Sequence, residues 1–191
     1  MQTVIKHADI YTGEEVIKDG YIRFNQQVLA VGPMIEYQPE AADEKIIDGH
    51  ERIIVPGFID VHSHGGYGID TMDADPKEIN EMVTQVTKNE GVTTFFPTTV
   101  TQSVENINRA MEGIREAAKM NPVIKGTHLE GPFVCVEYKG AQPEQYIQDP
   151  DYRLLEHWNE LSGGLVKMIT YAPEKPGARE LEEYCLSHNI V

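Results

Sequence analysis

The chain has 191 residues, enough for one ordinary domain or for one domain with a small appendage. Its net charge is −15, because Asp and Glu outnumber Lys and Arg by 31 to 16. This acidity argues against nucleic acid and anionic membrane surfaces as general partners, since both attract clusters of Lys and Arg.

Cysteine content and the N-terminal residues indicate the compartment. Cys135 and Cys185 have neither the spacing of a metal site nor that of a disulfide framework, which favours a reducing environment. The opening MQTVIKHADI lacks the basic segment and long apolar run of a signal peptide. No apolar run approaches the roughly 20 residues that span a bilayer. The sequence therefore predicts a soluble, cytoplasmic protein.

Residues 1–55 predict a small all-β unit. Three runs are rich in β-branched and aromatic residues, as strands are: TVIKHADIY, EEVIKDGYIRF and QVLAVG. The accompanying turn signals are Thr12-Gly13, Asp19-Gly20 and Gly32-Pro33.

From residue 56 onward, strand-like and helix-like segments alternate. IIVPGFIDVHSH reads as an apolar strand that runs into its histidines. A helix is predicted after Asp75-Pro76, where an N-cap precedes proline at the first helical position, and Gly91 is its expected C-terminal cap. A second helix is predicted to begin after Ser103 and to end by Asn121-Pro122.

The later segments continue the alternation. The predicted strands are VTTFF at 92–96, VIKGTHLE at 123–130, LVKMITYAP at 165–173 and a strand beginning at 189–191. Short helical segments are predicted around 154–158 and 181–185. Such alternation is typical of βα units on a parallel sheet. Three or four units fit this length, whereas a closed eight-unit barrel takes about 250 residues, and an open doubly wound sheet fits equally well.

His62 and His64 stand two residues apart at the end of a predicted strand. Side chains alternate along a strand, so both imidazoles point to one face, about 6.6 Å apart along the backbone. That spacing lets both bind one Zn²⁺-like ion with bonds of about 2.0–2.1 Å. The alternative is a solvated pair without metal, because His-x-His is common by chance.

Glu130 ends a predicted strand and precedes Gly131-Pro132. Acidic groups at the carboxyl ends of parallel strands lie where α/β proteins build their sites. The alternative is a carboxylate that caps a helix or loop. His128 faces the same side, and we interpret it as a satisfied core histidine rather than as a group that supports the site.

The loop YKGAQ at 138–142 follows Glu130 on the side where a substrate would enter. Composition alone favours a plain surface loop. Cys135 precedes it, and we interpret this thiol as structural because nothing nearby favours a lowered pKa.

Two motifs resemble a known family. PGFIDVHSHG at 56–65, after a β-rich N-terminal segment, resembles the opening of the amidohydrolase superfamily of metal-dependent hydrolases. HLEGPF at 128–133 followed by KGAQP at 139–143 narrows the resemblance to N-acetylglucosamine-6-phosphate deacetylases. It covers essentially the whole chain, including TTFFPT at 93–98 and TYAPE at 170–174.

The resemblance implies a fold and a reaction. The expected fold is α/β: a partial (β/α)₈ TIM-like barrel, its first three to four βα units at 56–191, preceded by part of a small β-sandwich at 1–55. The expected reaction is metal-dependent hydrolysis of the N-acetyl group of N-acetylglucosamine-6-phosphate, giving glucosamine-6-phosphate and acetate.

The resemblance also implies site residues. Glu130 matches the family's metal-ligating glutamate, and His62 and His64 match a pair that ligates a second metal in some members. Ala141 and Gln142 match positions that contact the sugar, although many members carry His at the position of Gln142. The expected cofactor is a divalent metal of the Zn, Fe, Co or Mn type, with one or two ions per full-length subunit.

Two later histidine ligands and the catalytic aspartate of the family are expected beyond Val191. The resemblance therefore implies an incomplete chain that is inactive alone, and a cytoplasmic homodimer when full length. The expected partner is a small-molecule amino-sugar phosphate. The alternatives are another amidohydrolase acting on cyclic amides, which a substrate panel would separate, and a non-catalytic sugar-phosphate-binding module, which would bind the sugar without releasing acetate.

Overall fold

A computed structural model describes residues 2–40 and 44–191 of the chain. The backbone divides into two compact units, Met1–Pro56 and Gly57–Val191. Among the described residues, no helix has both the length and the apolar character needed to cross a membrane.

The first unit is a mixed five-stranded sheet. Its strands are β1 Thr3–Tyr11, β2 Val16–Phe24, β3 Val28–Pro33, β4 Lys45–Asp48 and β5 Ile53–Ile54. The order is β3-β2-β1-β4, and β5 also pairs with β1. The pairs β1–β2 and β2–β3 are antiparallel, whereas β4 and β5 run parallel to β1. The three predicted β-type runs are confirmed as β1, β2 and β3.

One predicted turn signal of this unit is wrong. Asp19-Gly20 lies inside β2 rather than between strands. Asp19 has a φ of 45°, and the register of β1 against β2 shifts opposite it, between Ala8 and Ile10. An Asp-Gly pair accommodates positive φ in a β-bulge as well as in a turn, so the dipeptide marks an irregularity without reversing the chain.

The second unit alternates strands with helices. Its strands are β6 Phe58–Ser63, β7 Gly65–Gly66, β8 Ile69–Asp70, β9 Val92–Pro97, β10 Thr127–Glu130 and β11 Val166–Thr170. Its α-helices are α1 Pro76–Glu90, α2 Val104–Met120, α3 Tyr152–Leu161 and α4 Ala178–His188. Short 3₁₀ helices cover Thr71–Asp73, Val136–Tyr138 and Glu144–Tyr146.

The longer strands of this unit run parallel and in chain order. β6 pairs with β9, and β10 pairs with β11. Two isolated parallel bridges connect this part of the chain to β10 and the residues before it. Phe95 of β9 pairs with Ile124, and Thr98, just after β9, pairs with His128 of β10. With α1, α2 and α3 between successive strands, the unit is α/β, as predicted.

Three predicted strands differ from the structure. IIVPGFIDVHSH is not one strand: β5, at 53–54, pairs with β1, whereas β6, at 58–63, pairs with β9, and the break falls at Pro56-Gly57, because proline has no N–H for a strand ladder. The strand predicted at 123–130 begins only at Thr127, because Asn121 turns the chain: its side-chain Oδ1 accepts from the Val123 N–H and its carbonyl accepts from the Ile124 N–H. The strand predicted at 189–191 is absent from the described residues, although Val191 makes strand-like backbone bonds. The Val191 N–H donates to the Lys167 carbonyl, and its own carbonyl accepts from the Ile169 N–H, as in a parallel pair.

Two apolar clusters form the core of this unit. One lies where α1 and α2 cover β9, and the other lies where α2, α3 and α4 cover β10 and β11. The first contains Ile79, Met82, Val83, Val86, Val92, Phe95, Ile114, Ala117 and Ile124. The second contains Ile107, Met111, Leu129, Phe133, Leu155, Trp158, Val166, Ile169, Leu181, Cys185 and Ile190.

Three titratable side chains at the second apolar cluster should make the protein less stable at alkaline pH. Burial raises the pKa of the Cys185 thiol and the pKa values of the Tyr171 and Tyr184 phenols above their ordinary values. Above pH about 9 the unfolded chain loses protons that the folded chain keeps, so the free energy of unfolding falls as the pH rises. We expect the melting temperature to drop on going from pH about 8 to about 10.5, and to drop less in the Cys185→Ala/Tyr184→Phe double variant. Equal drops in the two proteins would contradict this.

Gly113 marks a close approach between α2 and the turn after the 3₁₀ helix Thr71–Asp73. A Cβ at this position would lie 2.4 Å from the Ala74 carbonyl oxygen. We therefore expect Gly113→Ala to lower the free energy of unfolding by about 1–3 kcal/mol, although alanine favours a helix by about 1 kcal/mol. Chemical denaturation measures the change. Gly66→Ala is the control, since its Cβ would meet Met82 Cγ at an ordinary 3.9 Å, and an unchanged or higher stability of Gly113→Ala would refute the prediction.

Candidate metal centre

The carboxyl ends of the parallel strands carry the candidate site. β6 ends at Ser63, β10 at Glu130 and β11 at Thr170. The end of β6 is fixed to the chain after β9, because the Ser63 N–H donates to Thr98 Oγ1 at 3.0 Å and the Thr98 N–H donates to the Ser63 carbonyl at 2.9 Å. Side chains at these ends therefore meet at one edge, as the strand-end rule predicts.

Both imidazoles of the His-x-His pair meet one oxygen of Glu130. The Oε2 atom of Glu130 lies 2.6 Å from His62 Nε2 and 3.0 Å from His64 Nε2. The two imidazole rings are 5.3 Å apart between centroids. The carboxylate is the more enclosed group, with a side chain 20% exposed against 51% for His62 and 44% for His64. The structure thus brings the His62/His64 pair together with Glu130, which lies more than 60 residues further along the chain.

His128 lies beside this trio and is buried, at 1% exposure. Its ring centroid is 4.5 Å from that of His62, and its Nε2 is 2.8 Å from Thr170 Oγ1. Among the described residues, nothing bonds its buried Nδ1. Burial, with the nearby His62, lowers the pKa of His128 to about 4, so the ring is neutral near pH 7. His128 is buried in the core as predicted, but only its Nε2 has a hydrogen-bond partner among the described residues.

The loop after β10 also reaches the carboxylate. Gln142 is buried, and its Nε2 donates to Glu130 Oε1 at 2.8 Å. Its Oε1 accepts from the Thr101 N–H at 2.7 Å. Ala141 is exposed beside it. The two oxygens of Glu130 therefore have different neighbours, with Oε1 on the amide and Oε2 on the imidazoles.

A pocket of about 500 Å³ opens onto this carboxylate. Its lining residues are His64, Asp70, Val100, Glu130, Tyr138, Lys139, Gly140, Ala141 and Gln142. The volume lies in the range of sites for small molecules, roughly 300–1,000 Å³. The loop interpreted from composition as a plain surface loop is thus a wall of this pocket.

Sequence reasoning missed several of these groups. Thr170 ends β11 within TYAPE, so the strand-end rule applied to Glu130 could have found it. Asp70 and Val100 line the pocket without any signal in the sequence. Thr101 binds Gln142 through its backbone N–H, which is independent of residue type and therefore cannot be predicted from a motif.

The donor set fits a divalent metal. Ligand atoms of His62, His128 and Glu130 all lie within 4.8 Å of one another, and His64 adds a further imidazole at the same carboxylate oxygen. Imidazole nitrogen and carboxylate oxygen together are typical ligands of Zn²⁺ and of neighbouring first-row ions. The unbonded Nδ1 of His128 is a further polar atom beside the cluster that the protein itself leaves without a partner.

Comparisons with known proteins indicate the family. The chain is 36% identical to N-acetylglucosamine-6-phosphate deacetylase of Bacillus subtilis (strain 168), over 98% of this chain and 48% of that protein. It is 41% identical to the enzyme of the same name from Lysinibacillus sphaericus, over 68% of this chain and 34% of that protein. The chain thus spans about half the length, or less, of the curated relatives it matches.

A solved structure is similar over the whole chain. It is an N-acetyl-D-glucosamine-6-phosphate deacetylase mutant from Mycobacterium smegmatis in complex with N-acetyl-D-glucosamine-6-phosphate. The TM-score is 0.86 at 28% identity, covering 100% of this chain and 48% of that one. The profile of the amidohydrolase family, whose members are in general metal-dependent, matches residues 53–185. The chain therefore belongs to the amidohydrolase family.

Proposed function

We propose that the protein containing this sequence hydrolyses the N-acetyl group of N-acetylglucosamine-6-phosphate. Water adds to the acetamide, the C–N bond breaks, and the products are glucosamine-6-phosphate and acetate. The activity is proposed for the whole protein, because the chain spans about half the length of the relatives that carry this name.

One observation carries the proposal: two imidazoles converge on one oxygen of Glu130 at the mouth of a pocket sized for a small molecule. This arrangement stands at the carboxyl ends of parallel strands, where α/β enzymes of the barrel type place their chemistry. A carboxylate used only to cap a loop would bond backbone N–H groups instead of two histidines.

Glu130, His62 and His64 are the proposed ligands of a divalent ion of the Zn, Fe, Co or Mn type. When bound, such an ion supplies Lewis-acid polarisation of an amide carbonyl and acidification of water. The protein's own part is to hold these side chains at the strand ends and to present the acetamide from the pocket. Ala141 and Gln142 are proposed to lie against the sugar, since they line the same pocket.

Proton transfer needs a group outside this set. The carboxylates that line the pocket are Asp70 and Glu130. Asp70 Oδ1 already accepts from the Met72 N–H at 2.8 Å as the cap of a 3₁₀ helix, and Glu130 is the proposed ligand. We therefore assign proton transfer to neither carboxylate, since Asp70 caps a helix and Glu130 is the proposed ligand. We accordingly propose that residues 1–191 alone release no acetate.

The direct test is acetate release from N-acetylglucosamine-6-phosphate by the whole protein. We expect activity that a chelator removes and that a divalent ion restores, with far less turnover of cyclic amides such as hydantoins. Preference for the cyclic amide would assign the protein to another amidohydrolase reaction. Tight, metal-independent binding of the sugar phosphate without acetate release would make it a non-catalytic binding module.

Further properties are proposed on the same resemblance. We interpret the parallel order β6-β9-β10-β11 as the first three to four units of a (β/α)₈ barrel, and residues 1–55 as part of a small β-sandwich. The whole protein is proposed to be a cytoplasmic homodimer that binds neither nucleic acid nor membranes. Support comes from the net charge of −15 and from two buried free thiols, Cys135 and Cys185, which fit a reducing compartment.

A further inference from the structure

Gln142 is fixed by hydrogen bonds at all four of its polar atoms. Its backbone N–H donates to the Lys139 carbonyl at 3.0 Å, and its carbonyl accepts from Lys139 Nζ at 3.2 Å. Its side-chain Oε1 accepts from the Thr101 N–H at 2.7 Å, and its Nε2 donates to Glu130 Oε1 at 2.8 Å. The residue is 8% exposed. A buried amide with both ends bonded has one orientation, because rotating it would place like groups against each other.

We propose that Gln142 is a positioning residue: it holds Oε1 of Glu130 so that Oε2 alone faces His62 and His64. The inference rests on the proposed metal site and adds how that site is oriented. This role is separate from the proposed sugar contact, which is left to the second N–H group because the acceptor of the amide and its other N–H group are used inside the protein.

The physical need for such a residue lies in the carboxylate itself. The last torsion of a glutamate side chain is broad, so an unheld carboxylate rotates and can offer either oxygen or both. A donor fixed on Oε1 removes that freedom and lowers the entropy lost when Oε2 takes a ligand. Glu130 is then a one-oxygen ligand on the side of the imidazoles. Thr101 completes the arrangement, because its N–H anchors the amide from a separate segment of chain.

The same role can be filled by histidine. The oxygen and nitrogen of an amide flank a single carbon, as do the two nitrogens of an imidazole. A neutral imidazole has one donor and one acceptor, so Gln142→His can accept from the Thr101 N–H and donate to Glu130. Gln142→Leu can do neither at similar volume. Gln142→Asn keeps the amide but is one methylene too short to hold both partners.

The test is calorimetric titration of the metal-free protein with Co²⁺. We expect Gln142→Leu and Gln142→Asn to bind Co²⁺ about 10–100-fold more weakly, the usual cost of losing a group that orients a ligand. Gln142→His should recover most of the affinity. Gln145→Leu is the matched control, because Gln145 is exposed in the same loop, and its affinity should equal that of the unmodified protein. Gln142→Leu and Gln142→Asn should still unfold cooperatively in the metal-free state, at a lower melting temperature because the buried Thr101 N–H loses its acceptor.

Several outcomes would overturn the inference. Co²⁺ affinity unchanged in both Gln142→Leu and Gln142→Asn would refute it while leaving the metal site in place. In the whole protein at saturating metal, a raised KM for the sugar phosphate with unchanged Co²⁺ affinity would make Gln142 a substrate contact alone and would refute the positioning role. Failure of the unmodified protein to bind Co²⁺ would remove the proposed metal site, and this inference with it.

Discussion

Replacing Glu130 with glutamine is expected to abolish metal binding and, in the whole protein, acetate release. Glutamine keeps the shape of the side chain but removes the charge and the second acceptor oxygen. The atom that now meets both imidazoles, Oε2, would become either an amide oxygen or an N–H group. We expect Co²⁺ affinity to fall by more than the roughly 100-fold upper limit for groups that only orient ligands.

The control for this change lies in the adjoining loop. Glu137→Gln makes the same substitution at an exposed position of the 3₁₀ helix Val136–Tyr138 and should leave Co²⁺ affinity unchanged. Titration calorimetry and acetate release are measured together on both variants. Full acetate release and unchanged Co²⁺ affinity in Glu130→Gln would contradict the assignment of Glu130 as a ligand.

Trp158→Ala is expected to have the largest effect on stability. Trp158 is 0% exposed in the second apolar cluster, and its Nε1 donates to Asn108 Oδ1 at 2.9 Å, which links α3 to α2. Its ring also packs beside Phe133, with centroids 5.7 Å apart, just after the Glu130-Gly131-Pro132 segment. Truncation leaves a cavity and an unpaired amide, at a cost of about 3–5 kcal/mol.

Thermal unfolding measures this effect. A loss of that size should lower the melting temperature by on the order of 10 °C. Leu186→Ala, at an apolar position that is 72% exposed on α4, should change it little. Because Phe133 follows the proposed ligand so closely, we also expect Co²⁺ affinity of Trp158→Ala to weaken. Similar melting temperatures for the two variants would contradict the view that this cluster supports the site.

Local signals in the sequence were enough for the helices. The cap of α1 is complete within four residues, since Asp75 Oδ1 accepts from the Lys77 and Glu78 N–H groups at 2.8 and 3.3 Å. Its other end is Gly91 with a φ of 74°. Such bonds depend on near neighbours, so residue type and spacing determine them. The strand predicted from Val123 was too long, because an apolar pattern alone does not reveal the turn that Asn121 forms before it.

Contacts between distant segments were only partly predictable. The meeting of His62 with Glu130 followed from two general rules: side chains alternate along a strand, and parallel strands end at a common edge. No such rule connects Gln142 to Glu130 and Thr101, because the loop between them has no periodicity. The unsatisfied nitrogen of His128 was equally hidden, since it depends on which atoms surround a buried ring.

Anomalous X-ray scattering from crystals grown with Zn²⁺ tests the central claim most directly. We predict an anomalous peak about 2.0–2.2 Å from Glu130 Oε2 and at a similar distance from a nitrogen of His62 or His64. Oε1 of Glu130 should stay on Gln142, outside the bonding distance of that peak. A peak at another place, or no peak at this carboxylate under saturating Zn²⁺, would show that these residues do not form a metal centre.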